Sequence, residues 1–142
     1  MKRILVGLDG SPGQQRVLDD AAALALKLGA ALVLFRSVSI PAELPSRALS
    51  ATPDQVGDIL LAQAREDLQS LAHRLDGGLV RGIRVDLGTP WRSILDAAKA
   101  ENADLVVIGS HGYGGLDRLL GTTAAKVVNH ADRSVLVVRP HG

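Results

Sequence analysis

Two rhythms of apolar residues alternate along the chain. Short runs of strand length fall at residues 4–8, 31–35, 79–87, 105–108 and 135–138, and longer stretches with helical spacing separate them. The first helical stretch sets Val17, Ala21, Leu24 and Leu28 on one stripe and ends at Gly29; the second sets Leu61, Ala64, Leu68, Leu71 and Leu75 before Gly77 and Gly78. A third offers Trp91, Leu95 and Ala98, and a fourth Ala124, Val127, Val128 and Ala131. The predicted order is β-α-β-α-β-α-β-α-β, and every helix needs an apolar surface to lie against.

Three helix starts carry one signal, a hydroxyl N-cap followed by proline at the first helical position: Ser11-Pro12, Thr52-Pro53 and Thr89-Pro90. Gln14 and Gln55 stand where they complete capping boxes with Ser11 and Thr52. The fourth helix has no proline and is expected to begin near Gly121 and Thr122.

Alternating strands and helices imply an α/β fold, one domain over residues 1–142, with a five-stranded parallel sheet covered on both faces by right-handed crossovers. Ligands of such sheets sit at the carboxyl ends of strands where the winding reverses. Strand order 2-1-3-4-5 would put that point after strands one and three, and order 3-2-1-4-5 after strands one and four. The loop after strand three is the tight Gly88-Thr89, whereas strand four runs into the glycine cluster IGSHGYGG. Order 3-2-1-4-5 is therefore expected, and the function concerns Asp9 and Gly109 together. Residues 39–51 form a long connection that could overhang the same crevice.

Composition narrows the ligand. Apolar residues make up 46% of the 142 but aromatics only 2%, so the core is aliphatic and stacking on nucleic-acid bases is not available. Sixteen basic residues against 15 acidic leave a net charge of +1, too little to draw the chain to nucleic acid or an anionic membrane. An anion must be held by local geometry. There are no cysteines, hence no disulfide or thiolate chemistry. The first apolar run is too short for a secretory signal and no segment has the ~18 apolar residues of a membrane span, so a cytoplasmic protein is expected.

Gly109 and Gly112 are expected to bring backbone close to a ligand and to permit positive φ, and Gly121 to free the amides of Thr122 and Thr123 at a helix N-terminus. The loop is not a Walker A loop, because Thr-Thr follows Gly121 and Lys126 comes a turn later; nor is it the dinucleotide GxGxxG, which belongs after strand one. Asp9 stands beside this crevice, either holding Mg²⁺ together with phosphate oxygens or capping the Gly10-Ser11 turn. His111 beside Ser110 reads as a loop histidine, Trp91 as packing, Arg118 next to Asp117 as half of a solvated charge pair. His73, His130 and His141 lack metal-ligand spacing. The last run, 134–138, falls at a sheet edge in the expected order and is apolar enough to require a cover, since only residues 139–142 follow it.

Taken together, Ile4-Leu5-Val6-Gly7-Leu8-Asp9-Gly10-Ser11, Val38 at the end of strand two, the Gly88-Thr89-Pro90 turn and the tail from Val127-Val128-Asn129-His130-Ala131 to Val138 resemble the universal stress protein family along nearly the whole length. Members that bind ATP carry GxxG, nine residues, then G followed by Ser or Thr. Gly109-Ser110-His111-Gly112 supplies the first part and Gly121-Thr122 the last, with eight residues, 113–120, between them. The resemblance implies ATP, or AMP or ADP, with Mg²⁺ through Asp9. Gly7, Leu8 and Asp9 would line the crevice and the Val38 backbone would meet the adenine edge. Ile108, Gly109, Ser110, His111 and Gly112 would approach ribose and phosphates, and Gly121, Thr122 and Thr123 would take the phosphate tail. It further implies a homodimer through Val135, Leu136, Val137 and Val138, a stress-response sensor with a downstream protein partner, and at most slow ATP hydrolysis or autophosphorylation. The competing reading is a nucleotide-free homodimeric interaction protein of the same fold. A phosphoacceptor domain would need an acidic cluster after strand one and an aspartate after strand three; a flavin protein would need more aromatics than Trp91 and Tyr113.

Overall fold

The computed structural model describes residues 1–40, 52–75, 77–111 and 119–140. Five strands, β1 (Arg3–Gly7), β2 (Ala31–Val38), β3 (Val80–Leu87), β4 (Leu105–Gly109) and β5 (Ser134–Val138), alternate with four helices, α1 (Gln14–Leu28), α2 (Pro53–His73), α3 (Pro90–Ala100) and α4 (Thr122–His130). The strands pair in parallel in the order β3-β2-β1-β4-β5, the order expected from the glycine loop. Most of the long connection after β2 (41–51), expected to overhang the crevice, lies outside the described residues.

Side-chain alternation divides the core between the two faces. Ile4, Val6, Leu32, Leu34, Leu105 and Val107 pack with α1 and α2, whereas Leu5, Val33, Phe35, Val106 and Ile108 pack with α3 and α4. Both faces of β1, β2 and β4 are thus covered, which is why these strands read as continuous apolar runs. Each such side chain, fully buried, contributes about 1.5–3 kcal/mol. Leu68 anchors α2 at 0% exposure, and truncating a leucine of that kind to alanine costs roughly 2–5 kcal/mol.

The helix faces differ in detail from the expected stripes. α1 buries Val17, Leu18, Ala21, Ala22 and Ala25, while Leu28 is exposed: the alanine-rich side lies on the sheet, where small side chains allow close approach. α4 buries Ala124 and Val127 and leaves Val128 exposed. Leu61 and Leu75 join Ala64, Leu68 and Leu71 on the α2 side as expected, and Trp91 packs against the other core while stacking on His130 at 4.9 Å.

The helix starts are set by competition for backbone N–H groups. Thr52 and Gln55 form the expected capping box, and Gly29 ends α1 in the left-handed conformation. Thr89 occupies the N-cap of α3 without a side-chain bond. The Ser11 cap does not form. The Asp9 carboxylate accepts the Ser11 N–H at 2.9 Å, Gln14 Oε1 reaches back to the Gly10 N–H at 3.0 Å, and α1 begins later, with Gly13 as its N-cap.

The amino end of the sheet is tied by charged groups. The Asp104 carboxylate accepts from the Lys2 and Arg3 N–H groups at 2.7 and 3.0 Å, and Arg3 donates to the Glu101 carbonyl at 2.7 Å. Those two backbone bonds, Lys2 first, hold the Asp104 carboxyl below its ordinary value. Arg133 donates to the carbonyls of Ala98 and Ala103, both at 2.9 Å, joining the end of α3 to the start of β5. Its bond to Asp132 lowers that carboxyl and raises the guanidinium.

Candidate functional site

A cavity of about 730 Å³ opens at the carboxyl ends of β1 and β4, between strands whose helices leave on opposite faces. The volume falls within the range of small-molecule sites, roughly 300–1,000 Å³. Gly7, Leu8, Asp9, Ile108, Gly109, Ser110, His111, Gly121, Thr122 and Thr123, read from sequence as site residues, all line it. Gly112 lies outside the described residues, as do 113–118. Val38 is not among the lining residues: its carbonyl accepts the Gly88 N–H at 3.0 Å, and the β2 contribution comes instead from Phe35, Arg36 and Ser37.

The glycines serve close approach between parts of the protein. A Cβ on Gly7 would meet Ile108 Cγ2 at 3.1 Å, and one on Gly121 would meet the Ser110 carbonyl at 3.2 Å and His111 Cα at 3.4 Å. Gly109 lines the cavity but does not take the left-handed backbone that a glycine there would permit. Its φ is not positive, and a Cβ there would meet Val17 Cγ2 at 3.3 Å, so the missing side chain admits α1. Ser110 is the hub of this wall. Its N–H donates to the Val138 carbonyl at 2.9 Å, its own carbonyl accepts from Gly121 N–H at 2.8 Å, and its hydroxyl and His111 Nδ1 share a hydrogen bond at 3.1 Å.

Charge around the cavity is unevenly committed. Arg36 is spent within the fold, donating to the Leu8 carbonyl at 2.7 Å, to Gln14 at 3.0 Å and to Asp67 at 3.1 Å. Asp9, the one carboxylate among the described lining residues, caps the Ser11 turn through Oδ1. No cluster of three metal-ligating side chains forms among the described residues, so a Mg²⁺ ion here would rely on Asp9 and on oxygens of a ligand. Arg16, unremarked in the sequence, also lines the cavity. So does Val138, expected at a dimer interface; it is 7% exposed.

Gly121 caps α4 without a side-chain bond, and no acceptor among the described residues meets the N–H groups of Thr122 and Thr123. Helix N-terminal donors of this kind favour an anion. Phe35, Ile94 and Ile108 add apolar surface to the same cavity. It therefore combines apolar walls with donors suited to an anionic group. Phe35 could have been found from register, since it pairs with Gly7 once β1 and β2 are neighbours.

The layout is that of an α/β protein with a cleft at its topological switch point, the place where such folds hold ligands. The universal stress protein family model matches residues 1–139, and the chain belongs to that family. A universal stress protein of Synechocystis sp. is 33% identical over 153 aligned residues, covering 96% of this chain and 97% of that one. Among solved structures, a universal stress protein from Lactobacillus plantarum matches with 25% identity and a TM-score of 0.76, covering 97% of each chain. A universal stress protein in complex with cAMP matches with 26% identity and a TM-score of 0.69, covering 96% of each chain. No described helix is long and apolar enough to cross a membrane.

Proposed function

We propose that the chain is an adenine-nucleotide sensor that binds ATP, or AMP or ADP, in this cavity and performs no efficient catalysis. The observation that carries the reading is the pair of unmatched N–H groups at Thr122 and Thr123, facing a cavity at the switch point of the sheet. They offer phosphate oxygens the donors that the fold leaves unused. The solved relative with cAMP supports an adenine ligand for this type of cleft. Asp9, with one oxygen committed to the turn, has the other to offer a ribose hydroxyl or a Mg²⁺ ion carried in by the phosphates.

The sensor acts as a homodimer through β5. Among the described residues that strand pairs with β4 alone, and it leaves Leu136 38% exposed on an apolar edge that a second copy would cover. A downstream protein partner reads the nucleotide-dependent surface.

Mass spectrometry of ligand released from the purified protein, followed by calorimetric titration with ATP, ADP and AMP with and without Mg²⁺, tests the nucleotide. An adenine nucleotide is expected to be released and to rebind. A folded protein that takes up none at millimolar concentration would leave the interaction-protein reading in its place. Leu136→Lys is expected to give monomer by light scattering, and an unchanged dimer would exclude the β5 interface.

A further inference from the structure

We propose that Arg16 is a charge-selecting contact of the cavity, its guanidinium taking a phosphate oxygen of the bound nucleotide. The proposal rests on the nucleotide reading above and adds a side chain that the glycine and hydroxyl pattern does not contain.

Three observations converge. Arg16 lines the cavity, and its Nε is buried with no hydrogen-bond acceptor among the described residues. A buried donor left unmatched costs free energy, and native structures rarely keep one without a reason. Arg16 also sits in the first turn of α1, where the helix dipole disfavours a cation, and no acidic residue occupies that turn to compensate. Finally, the nearby carboxylates do not answer it. Asp20, one turn on and the ordinary helical partner, makes no ion pair with it, and Asp9 directs Oδ1 to the Ser11 N–H.

An anion in the cavity would relieve both penalties at once, supplying the acceptor for Nε and the negative charge that the α1 terminus and the guanidinium lack. A guanidinium fork matches the oxygens of a phosphate, giving short charge-assisted bonds. Arg36 cannot serve in its place, because the Leu8 carbonyl, Gln14 and Asp67 occupy it. Thr122 and Thr123 would then hold the phosphate through neutral donors and Arg16 through charge. The charge makes the site discriminate between nucleotide and nucleoside.

The test compares wild type, Arg16→Met and Arg16→Lys by calorimetry with adenosine, AMP, ATP and inorganic tripolyphosphate. Met keeps the aliphatic stem and removes the orphaned donor, so the ligand-free variant is expected to melt no lower than wild type. Affinity for AMP and ATP should fall roughly 10- to 100-fold in Arg16→Met, with an intermediate loss in Arg16→Lys and no change for adenosine. Unchanged AMP and ATP affinity in Arg16→Met, or an equal loss for adenosine, overturns the role of Arg16 while leaving nucleotide binding standing. Arg16-dependent binding of tripolyphosphate without binding of any nucleotide keeps the anion seat and removes the nucleotide. A wild type that binds no phosphate probe overturns both.

Discussion

The two ends of the one sheet treat their polar groups in opposite ways. At the amino end, Asp104 takes two backbone N–H groups and Arg133 two carbonyls, so the entries of β1, β4 and β5 are stapled to the turn that follows α3. At the carboxyl end, the donors of Thr122, Thr123 and Arg16 meet no acceptor among the described residues. The strands and the aliphatic core are common to both. The difference between the two ends is whether hydrogen-bonding groups are matched within the described chain or stand unmatched at a cavity.

Changes at the carboxyl end should therefore alter binding, and changes at the amino end folding. The largest effect is expected from Gly121→Val. Its Cβ would press on backbone atoms of Ser110 and His111, which cannot swing away as a side-chain tip can, and the start of α4 must shift. Nucleotide affinity measured by calorimetry should fall by about 100-fold or more, while overpacking lowers stability by only about 1–3 kcal/mol. Retained affinity would mean that the α4 terminus is not the phosphate seat.

Arg133→Ala makes the reverse prediction. It leaves two carbonyls without their charged donor, and urea denaturation should show a loss of about 1.5–3 kcal/mol. Nucleotide affinity should stay within about twofold, and a parallel loss of both would erase the division between the ends.

Asp104→Asn should have the smallest effect and a pH signature. A carboxyl held below its ordinary value contributes stability above that value, 3.8, and loses it as pH falls through the lower folded one. Acid denaturation of wild type should thus steepen below about pH 4, and the variant should be less stable at neutral pH with a shallower acid limb. Identical limbs in the two proteins would show that the Lys2 and Arg3 contacts do not couple to folding.

Much of this layout is legible in the sequence alone. The strand order followed from comparing a tight proline-capped loop after β3 with a glycine cluster after β4, because ligand clefts follow the reversal point. Thr52 and Gln55 cap α2 as their spacing predicts, each side chain taking the other's N–H. Ser11 does not cap α1: the Gln14 N–H that its hydroxyl would take donates to the Ser11 carbonyl, and Asp9 takes the Ser11 N–H that the Gln14 side chain would reach. Gly109 was legible as necessary but not for its cause, which lies in Val17 on another element. Arg16 carried no local signal. Its importance depends on α1 bringing its first turn to the cavity and on Asp20 failing to pair with it, and neither is written in spacing.

One residue also joins matters that otherwise look separate. The backbone of Ser110 holds Val138 by its N–H and Gly121 by its carbonyl, so the tip of the edge strand and the start of α4 are fastened to the two sides of a single Cα. The outer border of the sheet and the rim of the cavity therefore share one fastening, and a backbone shift at Ser110 would be felt at both.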